Sequence, residues 1–307
     1  MKIAITGATG FVGSKLVKKL SDRGDETIIF VRDPDKAKRI FPPTAFPKLT
    51  IVRADVKVAG EWQQNLSDCD AVVNLAGAPI AARWTQEHKQ NILDSRKLGT
   101  RNLVAGIQAA ANKPKVMVSA SAIGYYGTSE TAVFDENSPA GNDFLAEVCK
   151  AWEAEAMSVK AAGVRLAILR FGIVLGDGGA LGKMLAPFKM FAGGPIGTGN
   201  QWFSWIHCDD LVNSIVAAID RPEFDGIFNA TAPQPVRMSE FCSTLGEALN
   251  RPSWLPVPSF VLEVMLGDGA VVVLEGQQVL PQQTVAKGFK YEYDSLKTAL
   301  KQIISQL

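Results

Sequence analysis

Apolar residues fall in short unbroken runs through the first half of the chain, separated by longer amphipathic stretches. Residues 2–6 (KIAIT), 27–31 (TIIFV), 49–53 (LTIVR), 71–77 (AVVNLAG), 115–121 (KVMVSAS) and 165–175 (RLAILRFGIVL) read as strands. Helical spacing of apolar positions fits 11–23, 34–40, 86–111 and 142–162. Strands that are apolar on both sides need cover on both faces. The alternation therefore predicts an α/β fold, a Rossmann-type doubly wound parallel sheet between two helical layers. After Leu175 the pattern changes. A Gly-rich stretch with a helical middle leads to QWFSWIHCDD, a strand running into a helix over 209–220, and from Val236 the chain is mainly helical. The expected organisation is a dinucleotide-binding domain over 1–235, with 176–204 contributing to the substrate side. A smaller, mainly helical C-terminal lobe over 236–307 then caps it. No repeat or flexible linker separates the two, so the lobes should pack directly.

The loop after the first strand carries the clearest chemistry. TGATGFVG spaces Gly7, Gly10 and Gly13 as GxxGxxG between a strand and a helix. Gly7 permits the tight turn, Gly10 lets backbone N–H groups approach a pyrophosphate, and Gly13 allows the helix to lie close to the strand. Thr9, Phe11 and Val12 complete the turn, and their amides would face the anion at the helix N-terminus. At the end of the second strand, FVRDP puts Arg32 before Asp33. An arginine there suits a 2′-phosphate and an acid suits ribose hydroxyls, so the order favours NADP over NAD, with Asp33 still able to face the ribose. Asp55, after the third strand, is a candidate adenine contact. Leu75, Ala76 and Gly77, after the fourth, would lie beneath the cofactor.

Composition narrows the partners. The 307 residues carry a formal net charge of +1 with basic residues dispersed, which leaves no electrostatic footprint for nucleic acid. Four isolated cysteines suggest buried free thiols, and two histidines argue against a metal site. No leader pattern precedes the first strand and no apolar run suits a membrane span. The expected setting is the cytoplasm, or the plastid stroma if a transit peptide has been removed.

Taken together, TGATGFVG, NLAG, SASAIGYYG, Lys150 on its helix and WIHCDDLV resemble the extended short-chain dehydrogenases/reductases, whose members include nucleotide-sugar epimerases. NLAGAPIAARWT, GGPIGTG and the C-terminal EGQQVLPQQTVAKGFKYEY look more narrowly like the family's atypical epimerase subgroup, some of whose members are linked to cell division. The resemblance implies a YxxxK pair, in which lysine holds the nicotinamide ribose and tyrosine exchanges a proton. Mapped here, Lys150 is present, but the tyrosine position is Ala146, whose methyl group exchanges no proton. Ser121 stands where the family has a polarising hydroxyl, and the family's asparagine region reads Ser95-Arg96.

Four catalytic candidates follow: Ser121, Lys150 as a ribose-binding residue, and Tyr125 or Tyr126 as a substitute acid beyond the fifth strand. Cys149 reads as packing. Arg83 could clamp a phosphate and Trp84 could stack a ring, the alternative being a contact between lobes. Gln201, Trp202 and Phe203 suit the substrate side, His207 a structural role, and Asp209 a helix cap. Two functions fit: an NADP(H)-dependent oxidoreductase or epimerase acting on a small polar substrate, or a non-catalytic NADPH sensor regulating a protein partner, possible links to division included.

Overall fold

The computed structural model describes residues 1–307, the side chain of residue 183 excepted. Seven parallel strands form the central sheet: β1 (Lys2–Thr6), β2 (Glu26–Val31), β3 (Leu49–Arg53), β4 (Ala71–Asn74), β5 (Val116–Ala122), β6 (Arg165–Phe171) and β7 (Gly226–Ala230). Their order is β7-β6-β5-β4-β1-β2-β3. The winding reverses direction between β1 and β4, whose register pairs Ile3 with Ala71 and Thr6 with Asn74. Ligands of doubly wound sheets bind beyond the carboxyl ends of the strands at such a reversal.

Strand alternation sorts the apolar runs into two layers. Ile3, Ile5, Ile29, Val73, Val118 and Leu169 face helices α1 (Phe11–Asp22) and, further along the chain, Cys208–Asp220, through Leu16, Leu20, Leu211 and Ile215. Ala4, Ile28, Phe30, Val72, Met117 and Ile168 face the other way. There they meet Leu103 and Ile107 of the long helix Gln86–Ala109, and Ala156 of helix Phe144–Met157. In chain order the helices are α1, α2 (Pro34–Ile40), α3 (Gln86–Ala109), α4 (Phe144–Met157), α5 (Gly179–Lys189), α6 (Cys208–Asp220), α7 (Met238–Leu249), α8 (Ser259–Leu266), α9 (Val271–Leu274), α10 (Gln282–Ala286) and α11 (Leu296–Ser305).

Three elements differ from the reading of the sequence. The run 165–175 is interrupted at Gly172, where a Cβ would lie 2.6 Å from the Ser204 carbonyl oxygen. The chain leaves the main sheet there, and Ile173–Leu175 pairs in parallel with Trp205–His207. The helix expected over 142–162 stops at Met157 and tightens into a 3-10 turn over Ser158–Ala162. The seventh strand, GIFNA, carries too short and mixed a pattern to stand out, and its pairing with β6 is what defines it.

A third apolar cluster spans the second half of the chain. Leu175, Leu181, Phe188, Phe203 and Trp205 share it with Phe241, Leu245, Leu296 and Leu300. The segment after β6 thus packs with the C-terminal helices. Two short strands, Val133–Phe134 and Gln278–Val279, tie that lobe back to the region after β5.

Candidate cofactor and active site

The glycine turn is a cradle that side chains would fill. Gly7 has φ +71°, and a Cβ on it would sit 2.6 Å from the Leu75 carbonyl carbon. A Cβ on Gly13 would sit 2.3 Å from the Gly7 carbonyl oxygen, so the first turn of α1 rests directly on the strand exit. Gly10 caps α1 without any side-chain hydrogen bond, which leaves the first amides of the helix free for an anion. Thr9 and Val12 are half-buried beside the turn. The Phe11 ring turns away from it and packs on Gly176, Gly178 and Gly179, where added Cβ atoms would lie 2.7, 3.2 and 3.1 Å from its atoms. The Phe11 contribution to a ligand is therefore its backbone.

A buried hydrogen-bond chain fixes the strand ends beside this cradle. Thr6 Oγ1 donates to Asn74 Oδ1 at 2.8 Å, and Asn74 Nδ2 donates to Thr100 Oγ1 at 2.8 Å. Thr6 Oγ1 in turn accepts the amides of Leu75 and Ala76 at 3.1 and 3.2 Å. Thr6 and Asn74, the first residues of TGATGFVG and NLAG, are positioning residues, a part that the motif spacing alone does not reveal. Gly77 lies against the guanidinium of Arg96, with its Cβ position 2.9 Å from Cζ. Burial holds the Arg96 guanidinium below the usual arginine range.

At the end of β2, Arg32 is exposed and, among the described residues, makes no hydrogen bond or ion pair. Asp33 caps α2, its Oδ1 accepting the Lys36 amide at 2.9 Å. That amide hydrogen bond, foremost, holds the Asp33 carboxyl below the usual range. The acid that could have faced a ribose is engaged in the helix, and the arginine is free. Asp55 is exposed and accepts the Lys57 amide at 3.1 Å, a local turn contact.

The corner between β5 and α4 departs furthest from expectation. Ser121 is buried, and its hydroxyl donates to Glu153 Oε1 at 2.6 Å. Glu153 is also held by Arg170 through a two-pronged pair, Nε and Nη2 each at 2.8 Å. Arg170 Nη1 donates to the Tyr126 hydroxyl at 3.0 Å, and that hydroxyl donates to Asn229 Oδ1 at 2.7 Å. Burial pushes the Tyr126 phenol up to about 12. Ser121 and Tyr126, both expected at the reaction centre, are internal members of a satisfied network. Tyr125 differs. It is half-buried, its ring centroid lies 3.4 Å from Arg170 Cζ, and its hydroxyl has no hydrogen-bond partner among the described residues.

The rotation of α4 places Lys150 on the exposed side of the helix. Asp143 caps this helix through the Ala146 amide at 2.8 Å. Glu147, Lys150 and Ala154 face solvent, whereas Ala146, Cys149 and Glu153 face inward. The Lys150 amine folds back on the Gly141 carbonyl at 3.3 Å, as a surface lysine does. The inward residue next to it is Cys149, whose thiol contacts the Ala122 carbonyl at 3.7 Å and is pushed up to about 12 by burial.

On the substrate side, Arg83 Nη1 donates to the Val264 carbonyl at 2.9 Å, and the Trp84 amide donates to the Leu266 carbonyl at 3.2 Å. The Trp84 ring packs edge-on against Phe144 at 5.1 Å. Both therefore join the lobes, the alternative that the sequence left open. Gln201 is buried, with Nε2 donating to the Ile196 and Val273 carbonyls at 3.0 Å and Oε1 unpartnered. Trp202 is half-buried beneath the guanidinium of Arg237, 3.8 Å from its ring centroid, and Phe203 is core. His207, not Asp209, caps α6: its Nδ1 accepts the Asp209 amide at 3.1 Å and its Nε2 meets Gln302 Oε1 at 3.0 Å. Asp210 reaches across to accept the amides of Glu292 and Tyr293.

Comparison with known proteins agrees with this layout. Residues 3–230 match the NAD dependent epimerase/dehydratase family, and residues 257–303 match a domain of unknown function, DUF1731. An Arabidopsis thaliana protein named "Epimerase family protein SDR39U1 homolog, chloroplastic" is 50% identical over 307 residues, covering 99% of this chain and 87% of that protein. Bacillus subtilis "Epimerase family protein YfhF" is 40% identical, covering 99% of this chain and 98% of its own length. The crystal structure of human epimerase family protein SDR39U1 (isoform 2) with NADPH superimposes with a TM-score of 0.88 at 36% identity, with 100% of both chains covered.

Proposed function

The chain belongs to the NAD dependent epimerase/dehydratase family, and from that premise we propose that it binds NADP(H) and is an oxidoreductase or epimerase acting on a small polar substrate. The observation that carries the cofactor reading is the pairing of an uncapped α1 on a glycine cradle with a free Arg32 beside a committed Asp33. The amides of Thr9 and of 11–13 hold the diphosphate, the Gly10 amide being engaged by the Gly7 carbonyl at 3.0 Å, and Arg32 takes the 2′-phosphate through its planar donors. The human relative crystallised with NADPH supports the same choice. Bound there, the cofactor supplies or accepts a hydride.

In this reading Tyr125 supplies the proton, because its hydroxyl is the unengaged one in the β5 corner. Residues 176–204 and the C-terminal lobe form the substrate side and its cap. The working compartment is the cytoplasm or the plastid stroma, the latter suggested by the chloroplastic relative. The test follows NADPH absorbance against carbonyl and nucleotide-sugar panels, with Tyr125→Phe as the variant. Turnover that Tyr125→Phe abolishes supports the enzyme. Turnover that survives it removes Tyr125 from the mechanism. The second reading, an NADPH sensor acting on a protein partner, is favoured by the engagement of Ser121 and Tyr126 in internal hydrogen bonds. Tight NADPH binding without oxidation on either panel favours it.

A further inference from the structure

We propose that Arg96 binds the nicotinamide ribose of the cofactor, doing from α3 what no lysine on α4 is placed to do. The inference rests on the NADP(H) reading above. Arg96 approaches the carboxyl end of β4, beside the point where the sheet reverses its winding. Its guanidinium lies flat against Gly77, whose Cβ position is 2.9 Å from Cζ, 3.0 Å from Nη2 and 3.3 Å from Nε. Trp152 covers another side, its ring centroid 5.2 Å from Cζ. Nη1 donates to the Ala78 and Ile92 carbonyls, both at 3.1 Å. Among the described residues no carboxylate pairs with Arg96, and Nε and Nη2 have no hydrogen-bond acceptor.

Arg96 is half-buried, and a cation partly withdrawn from water without a counter-charge is costly, so a fold that keeps one is completed by a ligand or tolerates a loss of stability. The free Nε and Nη2 donors form one edge of a planar fork, a geometry suited to two neighbouring acceptor oxygens. The vicinal hydroxyls of a ribose present such a pair. The Cys149 thiol, on the inward face of α4, contributes no charge because burial keeps it protonated. With no phenolate beside it, the guanidinium also acts on the ring: it opposes the cationic oxidised nicotinamide and leaves the neutral reduced form unaffected. The chain should therefore hold NADPH more tightly than NADP⁺, with Arg96 as the source of the difference.

The experiment titrates wild type, Arg96→Gln, Arg96→Lys and Lys150→Gln with NADPH, NADP⁺ and 2′,5′-ADP, which lacks the nicotinamide half. Arg96→Gln should lose about tenfold or more in NADPH affinity, the scale of losing charge-assisted hydrogen bonds, with 2′,5′-ADP affinity unchanged. Its preference for NADPH over NADP⁺ should shrink, and Arg96→Lys should retain that preference. Lys150→Gln should match wild type throughout. Equal NADPH affinity in Arg96→Gln and wild type overturns the assignment. So does an equal loss of NADPH and 2′,5′-ADP, which would make Arg96 a prop for the fold. A wild-type chain that binds no NADPH overturns the cofactor reading itself, a result distinct from both.

Discussion

The β1–α1 turn and the β5–α4 corner stand at the same edge of one sheet, yet they are specified in different ways. The turn is a backbone object. Gly7 and Gly13 leave no room for a Cβ, and the free amides at the start of α1 follow from helix geometry whatever the surrounding side chains do. The corner is a side-chain object. Which hydroxyls are available there depends on where Glu153 and Arg170 sit, and the two residues come from different elements. The contrast teaches that a site built from main-chain groups survives large changes of sequence. One built from side chains can be emptied of its chemistry while the fold stays intact.

The largest expected effect lies in the corner. Glu153→Leu leaves Arg170, 1% exposed at its side chain, without its partner. Breaking such a buried pair from one side should cost about 3–5 kcal/mol in urea unfolding. A loss of less than about 1 kcal/mol would mean that the network is loose and that Ser121 and Tyr126 are free after all. At the turn, Gly13→Val drives a branched side chain into the Gly7 carbonyl and should destabilise by about 1–3 kcal/mol while abolishing NADPH binding. Calorimetry showing wild-type affinity would dismiss the turn as the diphosphate site.

Smaller effects separate the two regions further. Arg32→Ala should weaken NADPH binding about tenfold and leave NADH unchanged, since only the former carries the 2′-phosphate. Glu136 probes the corner by pH. Its Oε1 accepts the Asn229 amide at 2.9 Å, its Oε2 is unpartnered, and burial raises its carboxyl above the ordinary 4.5. The native state then holds that proton more tightly than the unfolded chain, so stability falls as pH rises from 4.5 through the raised value. Glu136→Gln removes this dependence and should gain on wild type as the pH is raised. Parallel stability–pH curves for the two proteins would show that Glu136 titrates as it does in the unfolded chain.

The sequence by itself determined the layers and the turn. Apolar runs of strand length, helical spacing between them and GxxGxxG at a strand exit are local patterns, and local patterns report backbone conformation directly. Even Arg32 beside Asp33 carried its meaning, because the PD that follows is a helix start that takes the acid as its cap. What only the tertiary structure decided is how α4 is turned and what lies under it. Successive helical residues are about 100° apart around the axis. A motif aligned by spacing alone can therefore put Lys150 at a cofactor, whereas packing against β5 and α3 turns it to solvent and turns Cys149 inward. The partners of Ser121, Tyr126 and Arg96 come from residues as far apart as Tyr126 and Asn229. Contacts across such separations are set by the assembled sheet and the fit of its helices, and no window along the chain contains them.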